Sequence, residues 1–80
     1  MDKKELDAYI NQNWTLVFGT DTGFSGKLYH YVEIKEFPNF VYCAPTKEIV
    51  INNYKKQLML TVKVMEEFGD KLPSPGEYEE

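Results

Sequence analysis

The run Phe37-Pro38-Asn39-Phe40, six residues ahead of Thr46-Lys47-Glu48, divides this chain into two hydrophobic rhythms. Upstream of it, apolar residues alternate with polar ones, the period of a strand with one buried face. Downstream, Ile51, Tyr54, Leu58, Val62 and Met65 recur at spacings of three and four, the signature of a helix buried along one side. A chain with strands first and one long helix after them must lay that helix across a sheet.

The sequence is 80 residues long, enough for one domain with a modest core. Its 42% apolar content is that of a globular chain rather than a disordered one. The 15% aromatic content lets a few rings supply much of the buried area.

Read from the N-terminus, Asp2 caps a short helix within residues 1–13, with Leu6, Tyr9 and Ile10 as its apolar stripe. A three-stranded meander fills residues 14–44. Its first strand, 14–18, turns Trp14, Leu16 and Phe18 inward, and Gly19 to Gly26 form a long hairpin loop in which Phe24 lids the core. In the second strand, 27–36, the core face is Leu28, His30, Val32 and Ile34, and Tyr29, Tyr31, Glu33 and Lys35 face the other way. Phe37-Pro38-Asn39 reverses the chain, with Pro38 supplying a fixed φ and Asn39 able to take a left-handed conformation, before a short strand over 40–44. Thr46 caps a long helix over 46–69, stopped by Gly69. Residues 70–80 form an extended acidic tail with room for a fourth short strand.

The expected fold is therefore α+β: a three-stranded antiparallel β-meander against one long α-helix, with a short N-terminal helix beside it.

Composition removes several functions. The net charge is −4, and all nine basic residues are lysine, with no arginine. Phosphate-driven nucleic-acid binding needs clustered basic residues and favours the arginine fork, so no direct nucleic-acid contact is expected. One cysteine, Cys43, cannot form an intrachain disulfide, and with one histidine, His30, a Cys/His zinc site fails by count. Both read as core residues. No apolar run approaches the roughly 20 residues that span a bilayer, and residues 1–13 are too charged for a signal peptide. The expected compartment is the cytoplasm.

No catalytic constellation emerges, and no metal or cofactor is called for. Ser25, His30 and Asp21 can be assembled into a triad only on paper, since Ser25 lacks a nucleophile-elbow context. Asp21, Glu33, Glu36 and Asp70 are scattered without metal-ligand spacing, and solvated charge accounts for each. The competing reading from these acids is a remnant metal-dependent nuclease.

An apolar excess is the stronger signal. Ile49, Val50, Leu60 and Val64 widen the long helix's stripe beyond what three strands can cover, and a tyrosine-bearing strand face lies on a sheet with open edges. Self-association, as a dimer, and capture of another protein follow as expectations. Tyr29, Tyr31, Phe40, Tyr42, Leu60 and Val64 are the candidate interface residues.

In order and spacing, the chain resembles the HicB-like antitoxin family over residues 9 to 75. Glu36-Phe37-Pro38-Asn39 stands where the family has Glu-Leu-Pro-Gly, and Thr46-Lys47-Glu48 where Thr-Pro-Glu opens its helix. Phe68-Gly69-Asp70-Lys71-Leu72-Pro73-Ser74-Pro75 matches the family's helix end and proline tail. It departs at Asn39, at Ala44-Pro45, at Ile49, and in a loop rich in Thr and Ser rather than acids.

The resemblance implies a partial ribonuclease-H-like module without enzymatic activity, which binds and blocks a small basic HicA-type toxin that cleaves messenger RNA. The C-terminal DNA-binding domain of many members has no counterpart in these residues. A stand-alone or phage relative with an unrelated partner is the alternative the resemblance leaves open.

Overall fold

The computed structural model describes residues 1–78. Its elements run α1 (Lys3–Ile10), β1 (Leu16–Thr22), β2 (Leu28–Ile34), β3 (Phe37–Ala44) and α2 (Lys47–Glu67). The strands form one antiparallel sheet in the order β1-β2-β3, with α2 across one face and α1 against α2. This is the α+β arrangement the hydrophobic rhythms predict.

Both helices start where a side chain can replace a missing backbone acceptor. The Asp2 carboxylate accepts from the Glu5 N–H at 2.8 Å, and Thr46 Oγ1 accepts from the Ile49 N–H at 3.3 Å. At the far end of α2, Gly69 takes φ +72, which lets its N–H reach the Glu66 carbonyl (3.2 Å) and the Asp70 N–H reach that of Met65 (2.9 Å). These paired bonds satisfy carbonyls the helix leaves open and turn the chain back toward the sheet.

The core lies between α2 and the inner side of β2 and β3. Val32, Ile34, Val50, Leu58 and Val62 are fully buried, joined by Phe37, Phe40 and Ala44. From the other side Leu6 and Ile10 of α1 close it. Trp14 joins the two halves. Its indole N–H donates to the Ile10 carbonyl at 3.0 Å, and its ring meets those of Tyr9 and Phe37 edge-on, each centroid 5.2 Å away.

Several expectations shift. The first strand begins at Leu16 rather than Trp14 and runs on through Thr22, because Thr20, Asp21 and Thr22 pair with His30, Tyr29 and Leu28. Only residues 23–27 turn, tied by the Gly23 N–H to the Lys27 carbonyl (3.0 Å). Phe24 is fully exposed and lids nothing. α2 packs on β2 and β3 and sends toward β1 the Lys47 ammonium, 5.4 Å from the Phe18 ring centroid; Phe18 and Leu28 stay 40% and 58% exposed, and His30 is only half-buried.

The second reversal occurs at Lys35-Glu36, not at Phe37-Pro38-Asn39. β3 already starts at Phe37, which pairs with Ile34, while Glu33 pairs with Val41. Pro38, Asn39 and Phe40 are thus extra residues, a three-residue bulge in which Pro38 has no N–H to offer the ladder. Asn39 is not left-handed; among the described residues only glycines have positive φ. On α2, Val50 takes the buried place expected of Ile51, which is 48% exposed.

The tail forms no strand between 70 and 78, yet it is anchored. Tyr9 donates its hydroxyl to the Pro73 carbonyl, and burial, aided by the charge of Glu77, pushes that phenol up to about 12, keeping it a neutral donor. The Gly76 N–H donates to Glu36 Oε2 at 2.7 Å. That carboxylate also accepts from the Thr15 N–H (3.0 Å) and the Thr15 hydroxyl (2.9 Å). Burial acts to raise the Glu36 pKa, but the donors from Gly76, Thr15 and its own backbone outweigh it and hold the carboxyl below its ordinary 4.5.

Glu36→Ala strands those donors and should cost about 1–3 kcal/mol, read from urea midpoints at neutral pH. Because the folded-state pKa is depressed, the contribution is fully present above pH 4.5 and disappears as pH falls below 4.5 through the folded value. Wild type should therefore lose stability more steeply over that window than Glu36→Gln; parallel curves would show that Glu36 does not carry the effect.

Candidate protein interface

Alternation along β2 sends Val32 and Ile34 toward α2 and Tyr29, Tyr31 and Glu33 to the opposite face. No helix covers that outer face. In register beside it stand Val17, Gly19 and Asp21 from β1, and Val41 and Cys43 from β3. Tyr29 and Tyr31 are half-buried, with ring centroids 6.5 Å apart. Partial desolvation and then the Asp21 carboxylate opposite raise the Tyr29 phenol above its ordinary 10. Val41 is 51% exposed and Cys43 is exposed beside Tyr31, correcting its expected place in the core.

Gly19 explains how Tyr31 lies flat. A Cβ at residue 19 would collide with the Tyr31 ring carbon Cζ and its hydroxyl. The missing side chain therefore makes the bed for an aromatic ring across a strand. Next to Tyr29 a hollow of about 310 Å³ opens, lined by Leu28, Cys43, Ala44 and Pro45. β1 and β3 are both edge strands, so each has one side without a hydrogen-bonded neighbour among the described residues.

The six candidates from the sequence do not form one patch. Tyr29 and Tyr31 share the outer sheet face. Phe40 is 6% exposed in the core, and Tyr42 pairs with Val32 on the helix-facing side, half-buried against the core. Phe40 therefore has almost no surface to give a partner. Leu60 and Val64 are 56% and 50% exposed on the far side of α2. Sequence reasoning missed Val41 and Cys43 on the sheet and Phe68, 78% exposed, beyond Val64. Counting back in twos from buried Ala44 would have put Tyr42 and Phe40 inside and Cys43 and Val41 outside.

The reactive groups are dispersed. His30 is on the helix side of β2, Asp21 is opposite Tyr29 on the outer side, and Ser25 is exposed in the turn. Glu36 is committed to Thr15 and Gly76. Among the described residues no group of three or more His, Cys, Asp or Glu is placed to hold a metal ion. A groove of about 400 Å³ runs between the Pro38 bulge, Met65 and Pro73, and the Lys71–Glu77 ion pair (3.2 Å) lies at it. Among the described residues no helix is long and apolar enough to cross a membrane.

Neither a family model, nor a curated protein, nor a solved structure matches the chain.

Gly19→Ala should displace the Tyr31 ring, destabilising the protein and altering the tyrosine resonances in NMR spectra. In a Tyr31→Ala background the same substitution should cost far less, since the clash is gone. Equal costs in both backgrounds would show that the ring does not rest on residue 19.

Proposed function

We propose that the protein is a non-enzymatic protein-binding module of the antitoxin type, which uses the outer face of its sheet to hold a small basic toxin. The observation that carries this reading is the uncovered face itself, with Tyr29 and Tyr31 flanked by Val41 and Cys43. Tyrosines are suited to such contacts because each ring buries much area with little loss of rotamer freedom and keeps a polar tip. Glu33 and Asp21 at the border of the face, within a chain of net charge −4, complement a basic partner.

The order of strands, turn, cap and proline tail, together with the α+β fold, supports a HicA-type messenger-RNA-cleaving toxin as the partner class. Inhibition would be steric: the sheet would occupy the surface on which the toxin receives RNA. No group of this chain needs to react.

The test has two readouts. Incubated alone with RNA and Mg²⁺ or Mn²⁺, the protein should leave the RNA intact, and cleavage would replace this reading by a nuclease. Mixed with a HicA-type toxin encoded beside it, the wild type should block cleavage. The double variant Tyr29→Ala, Tyr31→Ala should bind at least about thirtyfold more weakly, the effect of removing one hot spot worth about 2 kcal/mol. Undiminished inhibition by the variant would remove the sheet face from the contact.

A further inference from the structure

α2 carries a second exposed apolar surface that the sheet-face reading does not use. Leu60 lies two residues from both Leu58 and Val62, about 200° around the helix, and so points directly away from the core. Val64 and Phe68 follow it at spacings of four, and the three are 56%, 50% and 78% exposed. This ridge borders a shallow hollow of about 520 Å³ formed with Lys63, Glu66 and Glu67. A solvent face needs no such row, and single exposed apolar residues would be unremarkable where a row is not.

Along the ridge, Lys55 and Lys56 precede Leu60, Lys63 stands beside Val64, and Glu66 and Glu67 lie between Val64 and Phe68. Lys55 donates to Asn11 (2.8 Å) and Glu66 holds the Met1 ammonium (2.8 Å), which fixes α1 against α2. Lys56 and Glu67 have no ion-pair partner among the described residues. Eleven residues apart, they lie on the same flank of the ridge, about three turns from each other.

We infer that this ridge is the seat of a second copy of the chain, with two α2 helices packed antiparallel about a twofold axis near residues 61 and 62. In that register Leu60 of each copy meets Val64 of the other, and Lys56 of each reaches Glu67 of the other. A parallel pair would instead place Lys56 beside Lys56 and Glu67 beside Glu67, at a cost in like-charge repulsion. A twofold interface of this kind is self-complementary, as a dimer requires.

One face of a 21-residue helix offers less than the roughly 800 Å² per partner of a standard interface, so the dimer is reversible and concentration-dependent. The ridge and the tyrosine face are on opposite sides of the two-layer body. Each copy therefore keeps its sheet face free, and the inference stands whether or not that face binds a toxin.

Light scattering over a wide concentration range tests this. The wild-type mass should rise from 9.4 kDa toward twice that value, and a constant monomer mass would overturn the proposal. Leu60→Asp with Val64→Asp should raise the dimer dissociation constant by more than about tenfold while leaving the circular dichroism unchanged, because both residues are exposed. A second pair of variants reads the orientation. Lys56→Glu alone should weaken the dimer, and adding Glu67→Lys should restore it; failure to restore overturns the antiparallel register. The Tyr29→Ala, Tyr31→Ala variant should dimerise normally, and its conversion to a monomer would move the interface to the sheet.

Discussion

The carboxylate of Glu36 is the point on which the architecture closes. A buried charge is tolerated only where donors replace the water it has lost, and here Thr15 supplies two and Gly76 a third. The groups that meet there come from three parts of the chain: Thr15 precedes β1, the acceptor Glu36 forms the second reversal, and Gly76 lies in the tail. The Lys35 N–H adds a bond to the Thr15 carbonyl (3.0 Å), extending the β1–β2 ladder to the same place. With three segments tied there, the tail cannot drift from the sheet, and Pro73 is held where Tyr9 can donate to it. α1, the meander and the tail then close around α2 as one body. An 80-residue chain with a limited core depends heavily on such a polar joint.

The joint also accounts for the bulge. Because the reversal is made by Lys35 and Glu36 alone, Phe37 enters β3 immediately and packs edge-on against Trp14. Three residues, Pro38 to Phe40, must then be absorbed before the ladder resumes at Val41. Absorbing them resets the alternation, so that Phe40, Tyr42 and Ala44 all face α2. The register of β3, and with it the character of the outer sheet face, thus follows from a two-residue reversal and the bulge that comes after it.

The parts of this fold legible in the sequence are those governed by local repetition and local chemistry. Thr46 and Gly69 mark the ends of α2, Asp2 marks the start of α1, and the alternation around Val32 and Ile34 marks the central strand. The errors along the sheet share one cause, which is that pairing partners rather than residue types decide them. Thr20 to Thr22 look like loop until His30, Tyr29 and Leu28 are opposite them. Cys43 looks like core until the bulge sets the face of β3. Ile51 fits the helix stripe by spacing, but Val50 meets the core at that end of α2 instead. In the candidate interface, Tyr29 and Tyr31 were readable from their strand, whereas Gly19 beneath Tyr31 could be recognised only from the space the ring occupies.

The two exposed surfaces have a common origin in the shortage of secondary structure. Three strands offer two faces and one long helix can cover only one of them; α2 is itself wider in apolar residues than two strands can bury. Here α1 and the tail are spent on the sides and end of α2 and reach neither face. What remains uncovered differs in kind. The sheet face presents amphipathic rings bordered by acids, suited to an unlike and basic surface. The α2 ridge presents aliphatic side chains between a lysine and a glutamate, a pattern that complements itself when reversed. That difference separates the two contacts chemically, since a basic partner gains little from a ridge that itself carries Lys56 and Lys63, and a second copy, carrying the same acids, is repelled from the sheet face.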